Sequence, residues 1–379
     1  MTDRSALGPA DVTDEQLTRM VADLMGTDPA ETTLVCSSVE EVAYDLPAIT
    51  TAGRFWVSGL AEVRGSEVPW ALFVKHVQAW SRSPLFQLVP VEVRPMAAAS
   101  VPWRTEPLVY RSDLCDRLPA GLRMPRAVGV FDLDDLSASV WLEVVETRPV
   151  EWDLPRYARA AELVGRLAAS PRTVELAGVG EFDFALTDYL EGRLRHQVLP
   201  MLADQGLWSH PLVAPAFDPG LRERLLAAAD RAGSLVDELS SLPYGASHGD
   251  ACPNNLLVPA HGDDFVLIDF GFWGEMPLGF DLAQLLVGDV QVGRRSSAGL
   301  AEVDTAILRA YVAGLRAEGC RVPADVVRRA HALQLMIFTG LSTLPFELLD
   351  QEPTPALHHA AAERAAIARY SLELLDATA

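Results

Sequence analysis

"SHGDACPNNLLV", Ser247 to Val258, contains both asparagines of a chain of 379 residues. Of the 31 basic residues, Lys75 in "WALFVKHVQAW" is the only lysine, and all the others are arginine. A composition rich in Arg and Ala and poor in Lys and Asn is typical of a GC-rich coding sequence. Where a residue type has been lost almost everywhere, the remaining copies indicate positions that need that side chain.

The asparagine stretch contains a spaced set of polar residues. His248, Asp250 and Asn255 follow the pattern H-x-D-x-x-x-x-N, and Asp269 begins a D-F-G sequence fourteen residues after Asn255. Phosphoryl transfer needs these residue types in this order. One Asp takes or orients the proton of the acceptor hydroxyl, while an Asn and a second Asp supply oxygen ligands to Mg²⁺. The pattern therefore predicts a phosphoryl-transfer site.

The sequence "HGDACPNNLL…LIDFG" resembles motifs of the aminoglycoside phosphotransferase and choline kinase group, whose members commonly contain HGDxxxxN followed by I-D-F/W-G. This resemblance implies the two-lobe fold of the protein-kinase-like superfamily. It also implies Asp250 as catalytic base, His248 as structural anchor of the catalytic loop, and Asn255 and Asp269 as metal ligands. Cys252 replaces a His that many members carry, and we interpret it as loop packing.

A protein kinase is disfavoured by the same region. The loop reads H-G-D instead of H-R-D, and only 11 residues separate Asp269 from Asp281, too few for an activation segment. That short stretch leads directly to a helix-like segment, "LGFDLAQLLVG", in which Asp281 is expected to brace the catalytic loop. Small-molecule acceptors are therefore favoured.

Hydrophobic periodicity divides the chain into two parts. Short β-rich runs lie between Thr33 and His76 and again in "RAVGVFDL" and "SASVWLEVVE". Beyond about residue 150 apolar residues recur at helical spacing, and the candidate helices are 154–169, 185–203, 219–241, 301–318, 324–349 and 354–377. We predict an α+β fold with a small antiparallel β-sheet lobe and a larger, mostly helical lobe.

The predicted lobes have separate tasks. Residues 1–147, including a short N-terminal helix, would form the nucleotide-binding lobe. Residues 148–379 would hold the catalytic loop, the metal site and the acceptor pocket. A cleft between two such lobes is where a ligand site is expected.

Lys75 has a role in this plan. In the kinase arrangement a lysine on a strand pairs with the α- and β-phosphates of the nucleotide and with an acid on the following helix. Arginine is a poor substitute, because its planar fork does not fit a geometry made for one compact ammonium. Glu106 in "WRTEPLVYRSDL" is the favoured partner. Glu92 is its rival, although the prolines around it argue against a stable helix.

The nucleotide contacts beyond Lys75 are less clearly marked. "TTAGRFWVSG" lacks a G-x-G-x-x-G motif, but Gly53 could let backbone amides approach the phosphates. The backbone of Glu143 to Val145 is the expected partner of an adenine. The choice between ATP and GTP stays open.

The formal charge of −21 argues against nucleic acid or an anionic membrane as a partner. It is compatible with a cationic acceptor such as an aminoglycoside-type antibiotic, which would give a role in resistance. A sugar, a macrolide or another small hydroxyl compound is the alternative, and so is a catalytically silent nucleotide-binding module. Candidate acceptor contacts are Asp183, Asp188, Tyr189, Trp273, Glu275, Glu347 and Asp350.

The expected location is the cytoplasm. The polar, acidic N-terminal stretch does not have the pattern of a secretion signal. The four cysteines are widely spaced and show neither a zinc-binding pattern nor a disulfide framework.

Overall fold

The computed structural model describes residues 2–43, 48–181 and 185–379. In chain order its strands are β1 (Thr2–Asp3), β2 (Thr32–Glu41), β3 (Thr51–Val63), β4 (Ser66–Gln78), β5 (Leu122–Arg123), β6 (Ala127–Asp134), β7 (Ser137–Glu143), β8 (Tyr244–Ser247), β9 (Leu256–Leu257), β10 (Phe265–Leu267) and β11 (Gly274–Pro277).

The main sheet precedes most of the helices. Within the described residues it has six strands in the order β1-β2-β3-β4-β7-β6, antiparallel except for the short β1–β2 pair. Arg64 and Gly65 connect β3 to β4 with positive φ angles of 54° and 79°. Two such residues form the hairpin turn whose twist matches that of the flanking strands. β5, β9 and β10 form one smaller sheet and β8 and β11 another.

The helices follow mainly after the sheet. They are α1 (Asp14–Met25), α2 (Arg94–Ala99), α3 (Thr105–Arg111), α4 (Leu154–Ala169), α5 (Pro171–Val174), α6 (Leu186–Tyr189), α7 (Leu199–Ala203), α8 (Gln205–Trp208), α9 (Pro219–Asp230), α10 (Ala232–Ser240), α11 (Asp281–Gln291), α12 (Leu300–Ala317), α13 (Ala324–Gln334) and α14 (Pro355–Asp376). Two π-helical segments are inserted, Leu190–Val198 between α6 and α7 and Leu335–Thr339 after α13.

Local sequence explains where several elements begin and meet. Thr13 caps α1 and forms a capping box with Gln16, which satisfies free amides of the first turn. Glycines let α4 and α12 pack closely, because a Cβ on Gly165 would lie 2.3 Å from the Tyr311 carbonyl oxygen and one on Gly314 would lie 2.0 Å from that of Glu162. The α4–α12 pair lies in the core that also includes the apolar residues around the catalytic loop.

The small antiparallel sheet followed by a larger helical part confirms the predicted α+β fold class. Three predicted helices are interrupted: 185–203 by a π-helical segment, 219–241 at Arg231, and 324–349 after Gln334. The helix-like stretch after Trp103 is helical only in α3 and one short 3₁₀ turn. The lobe boundary between residues 147 and 148 stays a prediction. Among the described residues no helix is both long and apolar enough to cross a membrane.

Candidate active site

A cluster of three charges, of which Lys75 and Glu106 are buried and Asp269 is partly exposed, joins the sheet to the helical part. Lys75 lies in β4, and its Nζ is 2.5 Å from Glu106 Oε2 and 2.8 Å from Asp269 Oδ1. The exposed fraction is 6% for Lys75 and 4% for Glu106. Burial alone would lower the pKa of Lys75, but the two carboxylates outweigh it and hold that pKa above its ordinary value. Lys75 is therefore a fixed cation.

The turn that begins at Asp269 packs against α3. Asp269 has φ 64° and ψ 63°, a left-handed conformation that is costly for a residue other than glycine. Phe270, fully buried, contacts Tyr110 of α3 edge-to-face at a ring distance of 5.8 Å. Glu106 lies one helical turn before Tyr110, so the same helix supplies a carboxylate to Lys75 and supports the aromatic ring next to Asp269. Glu92 lies in a separate 3₁₀ turn.

His248 ties the catalytic loop to the strand that precedes Asp269. Its Nε2 lies 3.0 Å from the carbonyl oxygen of Ile268. Because a carbonyl can only accept, this nitrogen donates. The ring is fully buried, and burial lowers its pKa. A neutral imidazole in this position fixes the distance between the H-G-D loop and the D-F-G turn.

Asp281, at the start of α11, holds the loop from the other side. Its Oδ2 accepts from the Ser247 hydroxyl and the His248 amide, each at 3.0 Å, and its Oδ1 accepts from the Gly249 amide at 2.8 Å. This confirms the expectation that Asp281 braces the catalytic loop. Gly249 has φ 81°, and a Cβ there would lie 2.3 Å from the Phe272 carbonyl oxygen. A larger residue in the H-G-D motif would push the loop away from Phe272.

Asp250 and Asn255 are connected within the loop. Asn255 Nδ2 donates to the carbonyl oxygen and to Oδ2 of Asp250, both at 2.9 Å. Burial and the nearby Asp269 carboxylate raise the pKa of Asp250 to about 7. Cys252 is partly buried, and burial raises the pKa of its thiol to about 12. Such a thiol stays protonated, which agrees with a packing role.

Asp250, Asn255 and Asp269 line one cavity of about 170 Å³. These three side chains offer carboxylate and amide oxygens, which are the ligands that Mg²⁺ prefers. Within the described part of the chain, no group of three or more His, Cys, Asp and Glu side chains could hold a metal ion. Mg²⁺ is commonly held by one or two protein oxygens together with phosphate oxygens and water. The residues therefore fit a magnesium ion that binds together with a nucleotide.

Asp269 also borders a second cavity, of about 330 Å³, which we call the nucleotide cavity. Lys75 and Glu106 are part of its wall, and so are Glu143 and Val145 at the end of β7. The rest of the wall includes a pair of aromatic rings with centroids 4.9 Å apart, Trp56 and Phe73.

Gly53 lies outside the nucleotide cavity. It follows a register shift in β3 and borders a neighbouring cavity together with Thr51 and Ser83. The next residue, Arg54, borders both cavities. No sequence motif distinguishes Arg54 from the other arginines of the chain.

Asp250 borders a third cavity, of about 410 Å³, which we call the acceptor cavity. Of the predicted acceptor contacts, Tyr189, Trp273 and Glu275 line it. Other walls are formed by Ile49, Val101, Arg193, Gly249, Phe272, Gly274, Met276, Phe280, Gln284, Gln334 and Phe338. The cavity of about 170 Å³ thus lies between the other two, since it shares Asp269 with the nucleotide cavity and Asp250 with the acceptor cavity.

The remaining acceptor candidates lie elsewhere. Asp188 accepts a hydrogen bond from the Ala185 amide, Glu347 pairs with Arg364, and Asp350 is exposed. Asp183 lies outside the described residues. Sequence reasoning missed Gln334, although a polar residue inside the apolar run "HALQLMIF" was a usable signal.

The comparisons with known proteins agree with this geometry. Residues 116–320 match the profile of the phosphotransferase enzyme family, more than half of the chain. A search of the curated proteins found no match.

One solved structure supports the fold. An aminoglycoside phosphotransferase from Alicyclobacillus acidocaldarius has a TM-score of 0.53 at 14% identity, over 89% of this chain and 91% of that one. An ethanolamine kinase from Plasmodium vivax has a TM-score of 0.46 at 10% identity, over 90% of this chain and 82% of that one.

Replacing Asp281 by Asn should destabilise the catalytic loop, because an amide nitrogen cannot accept the bonds that one carboxylate oxygen now receives. We expect the free energy of unfolding to fall by about 1–3 kcal/mol, with faster hydrogen exchange at the Gly249 amide. Asp289→Asn, on the same helix but without these bonds, is the control. Unchanged exchange at Gly249 would contradict the bracing role.

The family match covers Asp250, Asn255, Asp269 and Asp281, and the structure places Lys75 and Glu106 beside them. The fold of the first solved structure agrees with the resemblance carried by the HGD and DFG motifs. The chain therefore belongs to the phosphotransferase enzyme family, as a small-molecule kinase of protein-kinase-like fold.

Proposed function

We propose that the protein transfers the γ-phosphoryl group of ATP or GTP to a hydroxyl of a small molecule, with Mg²⁺ as cofactor. The observation that carries this proposal is the row of three cavities, in which Asp269 and Asp250 form the shared walls. A nucleotide in the nucleotide cavity and a hydroxyl compound in the acceptor cavity would meet beside these two carboxylates.

The nucleotide would bind mainly to the sheet lobe, residues 1–147. Lys75 would contact the α- and β-phosphates, and Glu106 would keep its ammonium in place. The backbone between Glu143 and Val145 would hydrogen-bond to the base, since this segment borders the nucleotide cavity. Gly53 would act from the neighbouring cavity by letting the chain approach the phosphates.

Mg²⁺ would be held by Asn255 and Asp269 together with the phosphates, and it would neutralise the charge that develops during transfer. Asp250 would accept or orient the proton of the attacking hydroxyl, because it borders the acceptor cavity. His248 would act indirectly, by holding the loop that carries Asp250.

Two other functions fit less well. A silent nucleotide-binding module would not need all of Lys75, Asp250, Asn255 and Asp269 in place. A protein kinase would need a longer segment between Asp269 and Asp281, where the structure has one 3₁₀ turn and the short strand β11. Among small acceptors, an aminoglycoside-type antibiotic is supported by the charge of −21 and by the sequence "HGDAC" of the catalytic loop, and a sugar or macrolide is the alternative. The free state of all four cysteines supports a cytoplasmic site of action.

Asp250→Asn should lower turnover by orders of magnitude while nucleotide affinity changes little. The amide keeps the size of the side chain and can still accept from Asn255, but it cannot take a proton. Nucleotide affinity by calorimetry and acceptor-dependent nucleotide turnover give the two readouts. Asp263→Asn, on the surface, is the control. Equal turnover in the Asp250 variant would remove this residue from its role.

Lys75→Arg should reduce turnover clearly and weaken productive binding of the nucleotide. Charge is retained, so the effect must come from geometry: the buried space between Glu106 and Asp269 fits one ammonium and not a planar fork. The chain has no second lysine, so the control is the reverse exchange at the exposed Arg64. Kinetics equal to those of the natural protein would show that the single lysine is an accident of composition.

A further inference from the structure

The acceptor cavity has walls that select for a chemical class. On the basis of the proposed function, we propose that the acceptor is an uncharged or singly anionic hydroxyl compound with a bulky apolar body, and not a polycation. This class differs from the one indicated by the net charge of the chain.

Aromatic rings form much of the wall. Tyr189 and Phe338 stack with centroids 4.1 Å apart and planes 16° from parallel, and Phe280 meets Phe338 edge-to-face at 5.1 Å. Met276 and Trp273 extend this apolar surface towards the loop that carries Asp250. Surfaces of this kind gain free energy by covering apolar or aromatic groups. A small, strongly hydrated compound would leave most of them uncovered.

The charged residues of the wall do not suit a polycation. In the described part of the cavity, the carboxylates are Asp250 and Glu275, and the one cation is Arg193. Asp250 already accepts from Asn255. Neither Arg193 nor Glu275 forms an ion pair with any described residue. Several ammonium groups would share two carboxylates, one of them the proposed base Asp250, and would face a guanidinium, whereas a single anionic group could pair with Arg193.

Gln334 supplies a polar contact in this apolar wall. The residue is 1% exposed, and its Oε1 has no hydrogen-bond partner among the described residues. A buried acceptor without a donor is destabilising, because it has lost its hydrogen bonds to water. A hydroxyl or N–H group of the bound compound would satisfy this oxygen, so Gln334 indicates where a polar group sits on an otherwise apolar body.

Both π-helical segments of the described chain border this cavity. Arg193 belongs to Leu190–Val198 and Phe338 to Leu335–Thr339, and Gln334 directly precedes the second segment. Such wide turns are rare and occur often at functional sites. Their presence on two sides of one cavity supports a built ligand site.

The test measures binding to the full-length protein loaded with Mg²⁺ and a non-hydrolysable ATP analogue. Four probes are compared by calorimetry: glucose, 2-naphthyl β-glucoside, 2-naphthyl β-glucuronide and the polycation kanamycin. We expect both naphthyl compounds to bind at least about tenfold more tightly than glucose, and kanamycin to bind no more tightly than glucose. Naphthyl compounds that bind no better than glucose, or kanamycin as the tightest ligand with an affinity that falls as salt rises, would overturn the proposal.

Two variants test which residues of the cavity wall produce the preference for the naphthyl compounds and for the glucuronide. Phe338→Ala should remove most of the naphthyl gain, whereas Phe346→Ala, which packs against the same helical core outside the cavity, should retain it. Arg193→Gln should weaken the glucuronide more than the glucoside, and Arg195→Gln serves as its control. Equal losses for both ligands in the Arg193 variant would contradict the role of its charge.

Phosphoryl transfer to the same probes is measured in parallel and separates the two proposals. Binding of the naphthyl compounds without acceptor-dependent turnover of ATP, for these and a wider panel of hydroxyl compounds, would count against the proposed function alone. Preferred turnover of kanamycin would count against the acceptor class alone.

Discussion

The ammonium of Lys75 is held between two carboxylates, Glu106 from α3 and Asp269 from the turn after β10. A buried ion pair contributes little to stability, because the loss of hydration offsets most of the attraction, yet removing one partner is costly. The main contribution of this cluster is therefore to hold structural elements in position. It fixes a strand of the sheet, a short helix and the D-F-G turn relative to one another. Phe270 of the D-F-G turn contacts the ring of His248, and this contact positions the catalytic loop. Asp281 at the start of α11 holds the same loop through hydrogen bonds.

The cluster leaves an excess of negative charge. Lys75 neutralises one of two carboxylates, and Asp250 adds a third nearby, whose pKa is raised to about 7 by burial and by Asp269. Burial also raises the pKa of Asp281, although hydrogen bonds from two amides and a hydroxyl favour its charged form. Nucleotide phosphates would be repelled from such a site without a divalent cation. Under the proposed function, nucleotide binding would therefore depend on Mg²⁺, and a neutral Asn255 would serve better there than another Asp.

The sequence was most informative where chemistry restricts the residue type. A single lysine, two asparagines and two short motifs were enough to predict the fold class and the polar residues that the structure gathers around one cleft. Gly53 and the acceptor contacts were harder, because their positions depend on contacts between distant segments. The π-helical turns had no local signal, since they arise where side chains such as Tyr189 and Phe338 pack across the core. The acidity of the chain does not identify the acceptor, because net charge does not say which surface carries it.

The most direct measurement is a crystal structure with Mn²⁺ and a non-hydrolysable ATP analogue, with the metal located by anomalous scattering. We expect the metal at about 2.1 Å from Asn255 Oδ1 and from an Asp269 carboxylate oxygen, Lys75 against the α- and β-phosphates, and the γ-phosphate beside Asp250. A nucleotide bound outside the cavity that contains Lys75, or a metal that contacts neither Asn255 nor Asp269, would contradict the central claim.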